Sequence, residues 1–216
     1  MPLSRLWAVL PALLIALAPA ARADDKAKAD DTAEFLKADN WDGLMQYWTI
    51  KDRTVTGSAE VDPKFNTFLC SKQKYTDYEL SFKVRLVGGK GNSGIQVRSK
   101  IIDAKKFVVA GPQCDMGQQY WGSLYGEQVG GMMKACPDDF VKKHVQPTGV
   151  NDYMLRVKGN HFTIKVNGET SVDADFPTLP NKKPTPAAGI IAFQLHAGGP
   201  MTVEFTDIKF VDHGKK

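Results

Sequence analysis

Short segments in which apolar and polar residues alternate run through most of this sequence, and they restrict the chain to β-structure. In the clearest one, from Tyr78 to Leu86, every second residue is apolar and the residues between are glutamate, serine, lysine and arginine. Successive side chains of a strand point to opposite faces, so this segment predicts a strand with one buried face. Similar segments continue to Val211, and Gly159-Asn160 between two of them indicates a hairpin.

The remaining elements also indicate an all-β fold. Lys51-Asp52 separates two further alternating segments and predicts a second hairpin, and a change of phase between Phe205 and Ile208 predicts a β-bulge. Only two short helices are expected, over Asp31–Lys37 and Pro137–His144. Many short strands with almost no helix are typical of a β-sandwich or barrel.

Length and composition allow one substantial domain. The chain has 216 residues, of which 43% are hydrophobic, and this apolar fraction is too high for a disordered protein. The formal net charge is +4, and the first 23 residues contribute two of these charges. So weak a positive charge gives no support to nucleic-acid binding.

The first residues are typical of an export signal. Arg5 precedes an apolar run from Leu6 to Ala18, and Ala21-Arg22-Ala23 supplies a small-x-small cleavage site. The run is too short to span a bilayer comfortably, so no membrane insertion is expected. We therefore expect a signal peptide over residues 1–23, cleavage after Ala23, and a periplasmic or secreted protein. A flexible segment over 24–34 and one domain over 35–216 would follow.

Three cysteines, Cys70, Cys114 and Cys136, leave two alternatives open. An oxidising compartment would permit one disulfide, and Cys114 with Cys136 is the expected pair. Buried, unpaired thiols are an equally weighted alternative. Because the sequence has no Cys-x-x-Cys or His-Glu-x-x-His motif, a cysteine-based zinc site is not expected.

Polar residues two positions apart on three predicted strands are the main chemical signal. The pairs are Gln96 with Arg98, Gln113 with Asp115, and Gln194 with His196. Each pair shares one face of its strand. A solvent-exposed face would also be polar, but it favours lysine, glutamate and threonine. Amide, guanidinium, carboxylate and imidazole groups instead suit directional hydrogen bonds, so the three pairs predict the floor of a binding groove.

Residues 120–127 add aromatic rings and a carboxylate to this set. Trp121 and Tyr125 are candidates for stacking on the C–H face of a sugar, although either ring could equally belong to the core. Glu127 follows closely, and Asp115 with Glu127 would form the carboxyl pair of an ordinary glycosidase. The combination predicts a carbohydrate site.

Four segments in this order resemble the 3-keto-disaccharide hydrolase family. They are 92–98 (Asn-Ser-Gly-Ile-Gln-Val-Arg), 111–115 (Gly-Pro-Gln-Cys-Asp), 122–127 (Gly-Ser-Leu-Tyr-Gly-Glu) and 189–196 (Gly-Ile-Ile-Ala-Phe-Gln-Leu-His). The resemblance extends over roughly residues 35–211. It implies a concanavalin A-like jelly-roll sandwich of two antiparallel sheets, and an enzyme that cleaves glycosides already oxidised to a ketone at C3. Many members have Glu-x-Gln where this chain has Gln113-Cys114-Asp115.

The chemistry of such a substrate assigns roles to the candidate residues. A ketone at C3 makes the C2 proton acidic, and its removal allows the C1 substituent to leave by β-elimination, after which water can add. His196 is the candidate base and Arg98 the stabiliser of the enediolate oxygen. Asp115 or Glu127 would either orient His196 or protonate the leaving group. The expected contacts to sugar hydroxyls and ring faces are Gln96, Gln113, Gln194, Tyr125 and Trp121.

No cofactor is certain from the sequence, but one divalent metal ion is a candidate. Asp115, Glu127 and His196 would be its ligands, and it would replace Arg98 as the Lewis acid. Two other function classes also remain open. One is a non-catalytic carbohydrate-binding module on the same fold, and the other is a two-carboxylate glycosidase that acts on unoxidised sugars.

Overall fold

The computed structural model describes residues 30–215, which form two seven-stranded antiparallel sheets. The strands are β1 Trp41–Asp42, β2 Trp48–Lys51, β3 Thr54–Ala59, β4 Thr67–Ser71, β5 Tyr78–Leu86, β6 Ser93–Asp103, β7 Val108–Met116, β8 Leu124–Glu127, β9 Gly131–Lys134, β10 Asn151–Lys158, β11 His161–Val166, β12 Glu169–Asp175, β13 Ile190–Leu195 and β14 Met201–Asp212. The front sheet has the order β1-β4-β13-β6-β7-β8-β9, and the back sheet has the order β12-β11-β10-β5-β14-β3-β2. The predicted all-β, two-sheet architecture is confirmed.

The strand pattern of the sequence predicted several local features correctly. β5 begins and ends where the alternation does. β2 pairs with β3 and β10 pairs with β11, so both predicted hairpins are confirmed. The register of β14 against β5 shifts between Thr206 and Lys209, where the phase of the alternation changes and where Asp207 has φ +51°. An unpaired residue at this point absorbs the change of phase.

Aromatic side chains join the two sheets through a shared core. Phe193 of the front sheet packs edge-on against Phe205 of the back sheet, with ring centroids 4.8 Å apart. Both side chains are fully buried, and burying one phenylalanine contributes about 1.5–3 kcal/mol. The front sheet turns one face to this core, and its other face carries the groove described below.

The start of the described chain is held against the back sheet. The Asp31 amide donates to the Phe210 carbonyl (3.0 Å), and the Phe210 amide donates to Thr32 Oγ1 (2.8 Å). Helix α1 covers Thr32–Phe35, within the predicted range. Residues 30–34 therefore belong to the domain, and this part of the expected flexible segment is ordered. The expected signal peptide over 1–23 lies outside the described residues.

Two other expectations have definite outcomes. Helix α2 spans Phe140–His144, inside the predicted range, and within residues 30–215 neither helix has the length and apolar composition needed to span a bilayer. All three cysteines are free, so the expected Cys114–Cys136 disulfide is wrong. Cys114 is buried in the core between the sheets, and burial raises the pKa of its thiol.

Candidate functional site

A polar groove crosses the outer face of the front sheet. Its volume is about 400 Å³. Its lining residues carry amide, carboxyl, phenol or imidazole groups: Asn66, Asn92, Gln113, Asp115, Tyr120, Tyr125, Glu127, Gln128, Gln194 and His196. Six of these residues were predicted from the sequence, and no lysine or arginine is among the lining residues.

Strand register explains why residues from β7 and β8 meet in this groove. Gln113 pairs directly with Tyr125, and Glu127 follows Tyr125 by two residues on the same face. Asp115 follows Gln113 by two residues, whereas the intervening Cys114 points into the core. The alternation of β7 and β8 thus places two carboxyl groups and a phenol on one side of the sheet.

A directional chain of hydrogen bonds lies beneath the groove. Ser99 Oγ donates to Gln96 Oε1 (2.6 Å), and Gln96 Nε2 donates to Gln113 Oε1 (2.6 Å). Gln113 Nε2 then donates to Asp115 Oδ1 (2.7 Å) and to Gln194 Oε1 (3.3 Å). All five side chains are buried. The chain orients Asp115 so that Oδ2 is the oxygen left for a ligand.

Two expected contact residues are bonded to other side chains of the site, and only one of them lines the groove. Gln96 is fully buried and holds Gln113 rather than lining the groove. Gln113 lines the groove, but its amide is already bonded to Gln96, Asp115 and Gln194, so it positions these neighbours. Both side chains are the right type for a hydrogen-bonded site, but their amides hold other side chains in position.

The carboxyl of Asp115 has a pKa far above its ordinary value. Burial and, to a smaller extent, the negative charge of Glu127 raise the pKa of Asp115 to about 7, against the lowering effect of the Gln113 hydrogen bond. The backbone around Asp115 is fixed as well, since its amide donates to the Ser123 carbonyl (2.9 Å) and its carbonyl accepts from Tyr153 Oη (3.2 Å). Near neutral pH this carboxyl can therefore either hold or release a proton.

Asn66 connects the second carboxyl of the groove to the segment that carries the imidazole. Asn66 Nδ2 donates to Glu127 Oε1 (3.5 Å), and Asn66 Oδ1 accepts from the Ala197 amide (3.0 Å). His196 precedes Ala197 directly. One side chain from the start of β4 thus couples the positions of Glu127 and His196.

The hydrogen bonding of His196 defines which ring nitrogen is basic. Its Nδ1 contacts the carbonyl oxygen of Ala197, and a carbonyl can only accept, so Nδ1 carries the hydrogen. Nε2 of the neutral ring then has the free lone pair. A histidine in this tautomer can accept a proton from a bound ligand.

Arg98 is not in the groove, and the prediction that it shares a face with Gln96 is wrong. Gln96 opposes Gln113, but Lys100 opposes Ala110, so β6 has one more residue than β7 over this stretch. Arg98 lies in the resulting bulge with φ +47°. The bulge turns its side chain away, and Ser99 takes the place on the groove side.

The guanidinium of Arg98 instead ties together the backbone at one end of the sandwich. It donates to the carbonyls of Thr76, Gly159 and Pro186 and forms an ion pair with Asp77 (2.8 Å). Its side chain is only 1% exposed. With these partners it has no donor left for a ligand, so its role is structural.

The expected stacking residue Trp121 is also elsewhere. Its ring is buried in the core between the sheets and does not line the groove. Tyr125 and the unpredicted Tyr120, which is 37% exposed, are the aromatic residues of the groove. The core alternative stated for Trp121 is the correct one.

The expected metal ligands do not form a metal site. Among residues 30–215, no group of three or more histidine, cysteine, aspartate or glutamate side chains is positioned to hold a metal ion. Asp115, Glu127 and His196 share the groove but do not fit as a ligand set.

Four groove residues were missed by the sequence reasoning: Asn66, Asn92, Tyr120 and Gln128. None of them lies within a strand, and each follows or precedes one by a few residues. The alternation of apolar and polar residues predicts side-chain directions only within strands, so it does not predict where these residues lie. Two signals were available: Asn92 belongs to the first family-like segment, and Tyr120 begins the aromatic segment 120–127.

The two packed antiparallel sheets, with a polar groove across one of them, define a jelly-roll sandwich. The fold is similar to a protein of Parabacteroides distasonis ATCC 8503 provisionally named a glycosyl hydrolase (18% identity, TM-score 0.58, 81% of this chain and 94% of that chain). It is also similar to the carbohydrate-binding module CBM66 of Bacillus subtilis (12% identity, TM-score 0.52, 80% of this chain and 96% of that chain). A Bacillus subtilis protein with a galectin-like fold is similar as well (12% identity, TM-score 0.56, 81% of this chain and 90% of that chain).

The sequence assigns the chain to one family within this class. The model of the 3-keto-alpha-glucoside-1,2-lyase-like domain matches residues 30–211, and the chain therefore belongs to this family. The match includes the segment at the start of the described residues that is held against β14. No curated protein matches the sequence.

Proposed function

We propose that this protein cleaves the glycosidic bond of 3-keto glycosides by removing the C2 proton and eliminating the C1 substituent. One observation carries the proposal: a histidine with a free Nε2 lone pair and a carboxyl whose pKa is about 7 line the same groove. Elimination beside a ketone requires a base and an acid at neutral pH, and these two groups supply them. The family match supports the same substrate class.

The base in this proposal is His196. Its Nε2 takes the C2 proton, and the electron pair of that C–H bond enters the enediolate formed with the C3 ketone. The contact from Nδ1 to the Ala197 carbonyl stabilises the imidazolium that results, because that carbonyl still accepts a hydrogen bond from the charged ring.

The acid is Asp115, through its Oδ2. Oδ1 is occupied by the hydrogen bond from Gln113, so the proton of the neutral carboxyl resides on Oδ2. When the enediolate collapses, a C1=C2 double bond forms, the C1–O bond breaks, and the leaving oxygen takes this proton. Water can then add a hydroxyl to C1 and a proton to C2, which gives net hydrolysis.

Glu127 and Tyr125 complete the sugar contacts in this proposal. They lie on β8 and line the same groove as Asp115 and Gln113 of β7. There a carboxylate accepts from sugar hydroxyls and a phenol ring covers an apolar sugar face. The charge of Glu127 also raises the pKa of Asp115, which favours the protonated acid.

A second candidate is a carbohydrate-binding module without activity. The similarity of the sandwich to CBM66, whose name describes a binding module, is the observation that favours it. In that case the groove would bind a sugar, but the His196 and Asp115 pair would have no chemical task.

The test is to incubate the purified protein with a 3-keto glucoside and with the matching plain glucoside, and to follow both by NMR. We expect cleavage of the keto substrate only. H196A and D115N should lose at least about 100-fold in rate, as for a removed general base or acid. H161A, on the back sheet, is the matched control and should keep full activity. Cleavage of the plain glucoside would identify an ordinary glycosidase, and binding without cleavage of either would identify a binding module.

We also propose that the protein is exported and that residues 1–23 are removed. The arginine, the apolar run and the Ala21-Arg22-Ala23 site support this proposal. Mass spectrometry of the exported protein should find Asp24 as the first residue. An intact Met1 on the exported protein would contradict it.

A further inference from the structure

The orientation of the Gln194 side chain follows from the carboxylate at the end of the hydrogen-bond chain. Asp115 Oδ1 accepts, so the group of Gln113 that faces it must be Nε2. The same Nε2 faces Gln194, and it can only donate there as well, so Gln194 must present Oε1 to it (3.3 Å). Gln194 Nε2 is therefore directed away from Gln113.

This amide nitrogen is an unpartnered donor at the edge of the groove. Gln194 is 0% exposed, and its Nε2 has no hydrogen-bond partner. Among the described residues, the other buried side-chain atoms without partners are Trp48 Nε1 and Tyr78 Oη, and neither residue lines the groove. Buried polar groups are nearly always bonded, so an unpartnered donor beside a cavity indicates a ligand acceptor.

We propose that Gln194 Nε2 donates a hydrogen bond to the C3 ketone oxygen of the substrate. This hydrogen bond becomes stronger as the oxygen takes on the negative charge of the enediolate. The inference rests on the proposed function. A ketone oxygen has no hydrogen and only accepts, which matches a group that only donates. Because the enediolate oxygen is negatively charged, the bond is stronger in the transition state than in the bound substrate, and this difference accelerates the reaction.

The position of Gln194 relative to the acid and the base is consistent with one hexose. Gln113 bonds both Gln194 and Asp115, and His196 follows Gln194 by two residues. In a hexose, C1 and C3 are both bonded to C2. The ketone oxygen at Gln194, the leaving oxygen at Asp115 and the C2 proton at His196 would thus belong to three adjacent ring carbons. Gln194 takes the role that was expected of Arg98.

The test compares Q194E and Q194M with wild type and with Q73A. Q194E keeps an oxygen towards Gln113 and exchanges the free donor for an acceptor, whereas Q194M removes both polar atoms at similar size. We expect kcat/KM for the 3-keto glucoside to fall about 10²- to 10³-fold in both, as when an oxyanion donor is removed. Q73A alters an exposed glutamine that does not line the groove and should change kcat/KM less than about threefold on the same scale.

Binding measurements distinguish a failure of this inference from a failure of the proposed function and from unfolding of the variant. Calorimetry should give wild type a preference for the 3-keto over the plain glucoside, and folded Q194M should lose that preference. If wild type binds the keto sugar but does not cleave it, the proposed function fails. The role of Gln194 is then tested only by the ratio of the affinities for the 3-keto and the plain glucoside. The inference is overturned if a Q194 variant with the circular dichroism spectrum of wild type keeps both kcat/KM and the preference.

Discussion

Replacing Asp115 by asparagine is expected to stabilise the fold above neutral pH while it removes the proposed acid. Burial raises the pKa of this carboxyl from 3.8 to about 7. In the unfolded chain the carboxyl is hydrated and has its ordinary pKa. Between about pH 4 and 7 the unfolded state has lost a proton that the folded state still binds, so the folded state becomes less stable as the pH rises. Below pH 4 this disadvantage is absent.

The pKa difference sets the size of the effect. A shift from 3.8 to about 7 corresponds to about 4 kcal/mol of unfavourable free energy once the group is ionised. Asparagine has the same shape, and its oxygen can still accept the hydrogen bond from Gln113. We therefore expect D115N to unfold with a free energy about 1–4 kcal/mol larger than that of wild type at pH 8 and equal to it at pH 4.

Urea unfolding at pH 4, 6 and 8 measures this difference directly. D207N is the matched control, because Asp207 is exposed on the back sheet and its ion pair with Lys83 (2.6 Å) lowers its pKa. Stability from that pair is present above the ordinary carboxyl pKa, so D207N should lose stability at pH 8, opposite in sign to D115N. A gain for D115N that is the same at pH 4 and pH 8, or a loss at pH 8, would refute the reasoning.

Three further substitutions test other parts of the account. R98K should lower the free energy of unfolding by about 3 kcal/mol in urea, because a buried ion pair and several carbonyl contacts are lost, but should leave KM for a cleaved glycoside unchanged. W121A should cost about 3–5 kcal/mol by the same measurement, as expected for a core tryptophan. Asp173 and Asp175 raise the pKa of His161, so its stabilisation is present below the ordinary value of 6.5 and is lost as the pH rises through the higher folded value. H161A should therefore lower the thermal midpoint at pH 5.5 and have no effect at pH 9.

Strand positions were predictable because their signal is local. The period of β5 is visible in nine consecutive residues, and the bulge of β14 is visible because the alternation itself changes phase. The bulge of β6 has no such signal. Gln96-Val97-Arg98 alternates regularly, and the additional residue is defined only by the pairing of β6 with β7 and β13. The same bulge moved Arg98 out of the site.

The composition of the groove was predictable only in part, for two reasons. Its strand residues follow from the rule that residues two apart share a face, and Asp115, Glu127 and Gln194 are in the groove for that reason. Residues such as Asn66 and Tyr120 come from connecting segments, whose positions depend on tertiary packing. Aromatic residues such as Trp121 suit a core and a sugar site equally, so their type alone does not distinguish the two.

Isotope incorporation at C2 tests the central claim most directly. The reaction of wild type with a 3-keto glucoside is run in D2O, and the released 3-keto sugar is analysed by NMR and mass spectrometry against an enzyme-free sample. Removal of the C2 proton followed by hydration places deuterium from the solvent at C2, and we predict complete incorporation at that carbon. A released sugar that keeps its original hydrogen at C2 would contradict the account.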